Sequence, residues 1–150
     1  MKDLVDRCLK ENKEERPTIN EILRMQFLHK EKIMLVVVGS CCGKTSMIES
    51  FTKNQFPQKT DMTILDLNEL DFNYSGNEIG LGIWDTSGAD DLSKLRPLAY
   101  SNCNCFIVCF SLVDISSLKV INQWVNEITK FGPNCPRILV GLKADLRDEF

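Results

Sequence analysis

The sequence predicts an α/β fold, a mostly parallel sheet with helices on both faces, preceded by a short helical extension. Three observations predict it. From Ile33 onward, strand-sized apolar runs alternate with segments whose apolar residues recur at helical spacing, the pattern of a sheet covered by helices. A loop of small residues ending in Gly43-Lys44-Thr45 stands between the first apolar run and the first helical segment. Finally, 150 residues with 43% hydrophobic content suffice to enclose one core.

Taken in order, Leu4, Val5, Cys8 and Leu9 share one helical face and Ile19, Ile22, Leu23 and Phe27 another, with the turn-like ENKEERP between them. Residues 1–31 therefore read as two short amphipathic helices, the second capped by Thr18 with Glu21 at the capping-box spacing. Near residues 30–32 this charged pattern gives way to IMLVVVG, and the chain divides there into a helical segment 1–31 and a domain 32–150. Strands are expected at 34–38, 67–73, 78–84, 105–110 and 137–140, with Ser75-Gly76-Asn77 closing a hairpin between the second and third. Helices fit 44–52, 91–100 and 116–131, the last carrying Leu118, Ile121, Val125 and Ile128 on one stripe.

Composition removes several functions. A net charge of -3 without a basic block gives no footprint for nucleic acid. The start MKDLVDRCLK alternates charge with apolar residues and so lacks the uninterrupted apolar core of a secretory signal. The longest apolar stretch, 33–38, falls far short of the roughly 20 residues that cross a bilayer. A cytoplasmic protein is expected. Seven cysteines, an odd number, read as reduced thiols rather than a disulfide framework. Cys103, Cys105 and Cys109 have no second ligand pair or nearby histidine to complete a tetrahedral metal site, and His29, the one histidine, has no nucleophile-elbow pattern beside it.

The chemistry concentrates in VVVGSCCGKTS. A loop of this kind, between a buried strand and a helix, turns its backbone N–H groups and the helix N-terminus toward a phosphate. Lys44 then supplies a cation to the β and γ phosphates, and Thr45 a hydroxyl to Mg²⁺. Gly39, Ser40, Cys41, Cys42, Gly43, Lys44, Thr45 and Ser46 are thus the candidate phosphate-binding residues of a P-loop NTPase. A bare Gly-Lys-Thr also occurs by chance, and the placement is what gives this one weight. The spacing departs from the motif, since three residues rather than four separate Gly39 from Gly43. Either Val38 takes the first glycine's place or the loop is shortened. Cys41 and Cys42 read as small loop fillers, or as thiols activated by the phosphate nest.

With the loop placed, FTKNQFP, WDTSG, LRPLAY, CFSLVD, INQWVNEI and GPNCPRILVGLKADLRD together resemble the Rho family of small GTPases in order and spacing, from Lys32 to Phe150. The resemblance implies GTP/GDP and Mg²⁺ as ligands. It implies that Phe56 packs against guanine and that Thr63 senses Mg²⁺ and the γ-phosphate. Asp85 would act on Mg²⁺ through water, Gly88 would offer its N–H to the γ-phosphate, and Lys143 and Asp145 would read the base. Thr45, Thr63 and Asp85 are the expected metal residues. Effectors and regulators would meet residues 60–67 and 88–100, but Thr60, Met62 and Leu65 replace the family's tyrosine, proline and aromatic residue, which implies altered partner choice. Ala89 stands where the family keeps its water-positioning glutamine, so no catalytic residue is assigned and hydrolysis is expected to be weak. Leu142 replaces a polar base reader.

By the same resemblance, the domain stops before the SAK-like loop, the final strand and helix, and a prenylation box. The segment DLVDRCLKENKEERPTINEILRMQFLHK resembles the last two helices of a protein kinase domain, without any of that family's catalytic motifs, and reads as a helical hairpin with no chemistry of its own. The expected function is a Rho-like nucleotide switch. The alternatives are a pseudo-GTPase interaction module and a fragment of a longer or fused gene product.

Overall fold

The computed structural model describes residues 32–149. The helical segment and kinase-like resemblance expected over residues 1–31 lie outside them. Five strands, β1 (Lys32–Val38), β2 (Leu65–Tyr74), β3 (Asn77–Thr86), β4 (Cys105–Ser111) and β5 (Arg137–Leu142), form one sheet in the order β2-β3-β1-β4-β5. β1 runs parallel to β3 and β4, and β4 parallel to β5, while β2 alone is antiparallel, joined to β3 by a hairpin. The helices are α1 (Lys44–Lys53), α2 (Pro97–Tyr100), α3 (Ile115–Lys119) and α4 (Ile121–Phe131).

Alternation along β1 explains why the sheet has two covered faces. Val36 and Val38 point to one side and Val37 to the other, and all three are fully buried, as expected of a central parallel strand. Val36 and Val38 join Tyr100, Phe106, Val108, Trp124 and Ile128 in a core beneath α2 and α4. Val37 joins Ile48 of α1 with Ile83, Cys42 and Cys109 in a second core.

The sheet agrees with the sequence reading, and the strands run longer. β3 continues through Thr86, so that Asp85 lies within the strand instead of after it. The hairpin turns on two residues, Ser75 at φ 51° and Gly76 at φ 82°, while Asn77 already belongs to β3. Two positive φ values suit the right-handed twist of the flanking strands.

Two helices differ from expectation. In place of one helix over 91–100 there is a 3-10 turn at Asp90–Leu92 and then only α2. Pro97 has no N–H to give to the carbonyl four residues back, so the stretch cannot close as one α-helix. The helix expected over 116–131 is divided at Val120, which adopts φ −88° and ψ 0°. Val120 packs against the first core in that conformation. At the start of α3, the side chain of Asp114 accepts a hydrogen bond from the Ser116 amide and so caps the helix.

Candidate functional site

β1 delivers the chain into a short loop, and the geometry resolves the spacing question. Val38 remains a buried strand residue, and the loop is shortened. Positive φ recurs at Gly39 (143°), Cys41 (45°) and Gly43 (99°), an alternation of the kind from which backbone N–H groups build anion-binding concavities. A Cβ on Gly39 would stand 2.3 Å from the Cys109 carbonyl oxygen, so only glycine fits between this loop and β4. Lys44 is buried, and its Nζ donates to the Gly39 carbonyl at 2.7 Å, folding the ammonium into the loop.

The two loop thiols divide. Cys41 is exposed, whereas Cys42 is buried against Cys109. The hydrogen bond from Cys109 holds the Cys42 thiol down to about 7, against the upward push of burial and with help from the Lys44 charge. Cys109 is pushed up by the same hydrogen bond and by burial.

On the outer side of Lys44, three distant segments converge. Thr45 Oγ1 donates to Asp85 Oδ2 at 2.6 Å and lies 2.8 Å from Thr63 Oγ1, and Thr63 Oγ1 lies 3.2 Å from the same carboxylate oxygen. Asp85 is 2% exposed, and its other oxygen, Oδ1, is buried without a hydrogen-bond partner among the described residues. Burial raises the Asp85 pKa above the usual carboxylate range, opposed by the hydrogen bonds from Thr45 and Thr63 and by the Lys44 charge. Two hydroxyls and a carboxylate are an all-oxygen set, and a buried orphan carboxylate oxygen is what a hard divalent cation or its water would satisfy. The residues present therefore fit Mg²⁺.

Beside this cluster lies a cleft of about 230 Å³ lined by Cys41, Lys44, Thr63, Ser87, Gly88 and Ala89, among others. Gly88 approaches the loop so closely that a Cβ there would sit 2.6 Å from the Gly39 carbonyl oxygen. The segments around Thr63 and Gly88 are joined by the Ser87 amide donating to the Ile64 carbonyl at 3.2 Å. Met62 and Ile64 are exposed, as is Leu98 on the neighbouring segment.

On the inner side of the loop, a cavity of about 260 Å³ is lined by Cys42, Gly43, Ser46, Phe56, Lys143 and Asp145, together with Met47, Leu142 and Leu146. Lys143 takes φ 62°, and its side-chain stem passes over Gly43, with Cε 3.9 Å from where a Cβ would stand. Phe56, 73% exposed, forms an open wall. Most of the expected phosphate and base residues thus line two adjoining concavities on either side of Gly43 and Lys44, whereas Gly39, Ser40 and Asp85 line neither. Phe56 and Asp145 meet in the inner one, and Thr45, Thr63 and Gly88 in the outer.

Sequence reasoning missed the support behind Ala89. Arg96 Nη1 donates to the carbonyls of Ser87 (3.3 Å) and Ala89 (2.9 Å). Its Nε and Nη2 donate to Glu127, its guanidinium lies 4.6 Å from the Trp124 ring centroid, and the Tyr100 hydroxyl donates to the same glutamate. Arg96 and Glu127 lie 31 positions apart on different helical segments, and no local pattern links them. Thr86 was also missed, and its hydroxyl ties β3 to the Val37 carbonyl at 2.7 Å.

Residues 33–149 match the model of the Ras family. The chain belongs to the Ras family. It is similar to two proteins named GTP-binding protein RHO1. One, from Candida albicans, is 39% identical over 117 residues, covering 77% of this chain and 59% of the relative. The other, from Eremothecium gossypii, is 39% identical over 128 residues, covering 83% and 62%. The chain thus spans about three fifths of the length of these relatives. With both kinds of match, the domain is a small GTPase domain of Rho type, a family of guanine-nucleotide binders.

Proposed function

We propose that this chain is a cytoplasmic guanine-nucleotide switch that binds GTP and GDP with Mg²⁺ and hydrolyses GTP slowly. The observation that carries the reading is the convergence of the Thr45 and Thr63 hydroxyls on one oxygen of Asp85, whose other oxygen is buried without a partner among the described residues, directly beside Lys44 and the Gly88 segment. Thr45 and Thr63 would hold the cation directly and Asp85 through water, and a bound Mg²⁺ would offset phosphate charge. The chain's own residues do the rest. The loop amides of 39–43 and the Lys44 ammonium receive phosphate oxygens. The Lys143 stem and Phe56 enclose the base, and the Asp145 carboxylate accepts its N–H groups, which selects guanine over adenine.

Slow turnover follows from Ala89. Phosphoryl transfer depends on positioning the attacking water, and a methyl group offers neither donor nor acceptor. The Ala89 backbone is already engaged, its N–H donating to Ser87 Oγ and its carbonyl accepting from Arg96. Effectors and regulators would meet the exposed apolar residues Met62, Ile64 and Leu98, within the segments 60–67 and 88–100.

A second reading, an interaction module that binds nucleotide weakly, is favoured by two observations. Leu142 lines the base cavity with an apolar side chain, and the Lys44 ammonium is already bonded within its own loop. One experiment separates them. Nucleotide released from the purified protein by denaturation is identified by chromatography, alongside titration with fluorescent GTP in Mg²⁺. The switch reading expects stoichiometric GTP or GDP. Empty protein with no fluorescent-GTP binding would establish the module instead.

A further inference from the structure

The sheet face that carries α1 is only partly covered by the described residues. At the end where β1 begins, Ile33 stands beside Leu81, and Ile79 lies opposite Phe72. With Tyr74 and Phe51 of α1 these residues line a groove of about 370 Å³. Phe51 is 53% exposed, Phe72 44% and Tyr74 64%, although alternation in β2 sends Phe72 and Tyr74 to the same face as the buried core residue Ile83. Scattered single apolar residues are ordinary, but a continuous apolar groove on a core-facing surface marks a place where something packs.

We propose that residues 18–28 of this same chain pack into that groove. Three arguments select this occupant. The first is connection, because Ile33, the second residue of β1, is itself a groove wall. Only residues 29–31 separate Leu28 from β1, and helix-to-strand connections of about 2–6 residues return a helix onto the strand it precedes.

The second is chemistry. Ile19, Ile22, Leu23 and Phe27 recur at helical spacing and make one apolar stripe, interrupted by Gln26 and edged by Asn20, while Glu21 and Arg24 fall on the other side. Four large apolar side chains laid on an apolar groove are removed from water together, and the long Gln26 side chain can reach the groove's rim.

The third is size. Eleven helical residues span about 16 Å, and from Leu70 through Phe72 to Tyr74 the groove side of β2 extends about 14 Å. Because the segment is tethered to the groove, its docking is intramolecular and proceeds at high effective concentration, ahead of any free partner.

The test uses the full 150-residue chain. Phe27 is replaced by the photo-crosslinking residue p-benzoylphenylalanine, a conservative aromatic exchange, and adducts are mapped by tandem mass spectrometry after irradiation. The expected result is an adduct of monomer mass joining position 27 to residues 70–81, depleted several-fold when Phe72→Ser is added. Adducts of dimer mass at the groove would overturn the proposal in favour of a second copy, and adducts mapping elsewhere would overturn it outright. An independent measurement needs no crosslinker. Leu23→Asp should raise the fluorescence of an apolar-surface dye several-fold while the near-ultraviolet dichroism of Trp84 and Trp124 is retained. An unchanged dye signal with intact dichroism would also overturn the proposal. Neither readout depends on bound nucleotide.

Discussion

Arg96 and Glu127 meet through two parallel hydrogen bonds, Nε to Oε1 at 2.9 Å and Nη2 to Oε2 at 2.8 Å, with the arginine side chain 4% exposed and the glutamate 25%. This fork-to-fork pair does more than join two helical segments. The remaining guanidinium nitrogen is aimed by it at the Ser87 and Ala89 carbonyls, so the position of the Gly88 amide depends on a carboxylate on α4.

Removing the carboxylate should therefore affect both stability and site. Glu127→Ala leaves a buried guanidinium without its counter-charge, a change that costs about 3–5 kcal/mol when a buried pair is broken from one side. Because Glu127 is a quarter exposed, the lower end is expected, read as a shift in the urea midpoint at unchanged slope. Amide exchange at residues 87–89 should accelerate in the same variant. A midpoint shift confined to the range of ordinary surface substitutions would show that the pair is solvated.

The same pair sets a pH dependence. Burial pushes the Glu127 carboxyl up, but the hydrogen bonds from Arg96 and Tyr100 and the Arg96 charge outweigh it, leaving a net value below the ordinary 4.5. A carboxylate depressed in the folded state contributes stability that is fully present above its unfolded value and is lost as pH falls through the folded one. Stability should decline below about pH 4.5, and the decline should be shallower in Glu127→Gln. Urea titrations of both proteins at a series of pH values give the comparison, and superimposable slopes would remove Glu127 from the acid transition.

Gly88 offers a test of the phosphate cleft that leaves the core alone. An added Cβ would stand 2.6 Å from the Gly39 carbonyl oxygen and 2.9 Å from Ser40 Cα, so Gly88→Ala must push the two loops apart. Fluorescent-GTP affinity is expected to fall by about tenfold or more, equivalent to about 1.4 kcal/mol. Unaltered affinity would mean that the phosphates bind elsewhere.

For turnover, Ala89→Gln should raise the single-turnover rate of GTP cleavage without tightening binding, because the added amide acts only on the attacking water. An unchanged rate would place the deficiency in the shortened loop at 39–43.

The base cavity gives a gain-of-function counterpart. Leu142→Asn replaces an apolar wall with a side chain able to donate to and accept from a base. One added hydrogen bond contributes about 0.5–1.5 kcal/mol, so GDP affinity should rise by a few-fold. Isothermal titration of both forms decides it, and equal affinities would show that position 142 does not face the base.

Features coded locally were legible in the sequence. The β1 alternation and the glycine-bounded loop are short-range patterns, and they placed the strand, the loop and α1 within a residue or two. Thr63 and Asp85 were legible through resemblance to a family, and the structure places both beside Thr45. What escaped was either conformational competition or long-range contact. Pro97 was in plain view, yet the apolar spacing around it still read as one helix. Val120 carries no breaking signal at all, since its bend depends on packing against the core. Arg96 has no local signal, because its partners Glu127 and Trp124 are brought to it by α4.

β5 has a hydrogen-bonded neighbour on one side only among the described residues, and it carries two consecutive exposed branched side chains, Ile138 at 54% and Leu139 at 57%, one on each face. An unprotected strand edge with apolar flanks is a template for pairing with another chain. This makes colloidal behaviour a property of the fold itself. A lysine placed at position 139 should make that edge a poorer template, read as less concentration-dependent association in light scattering.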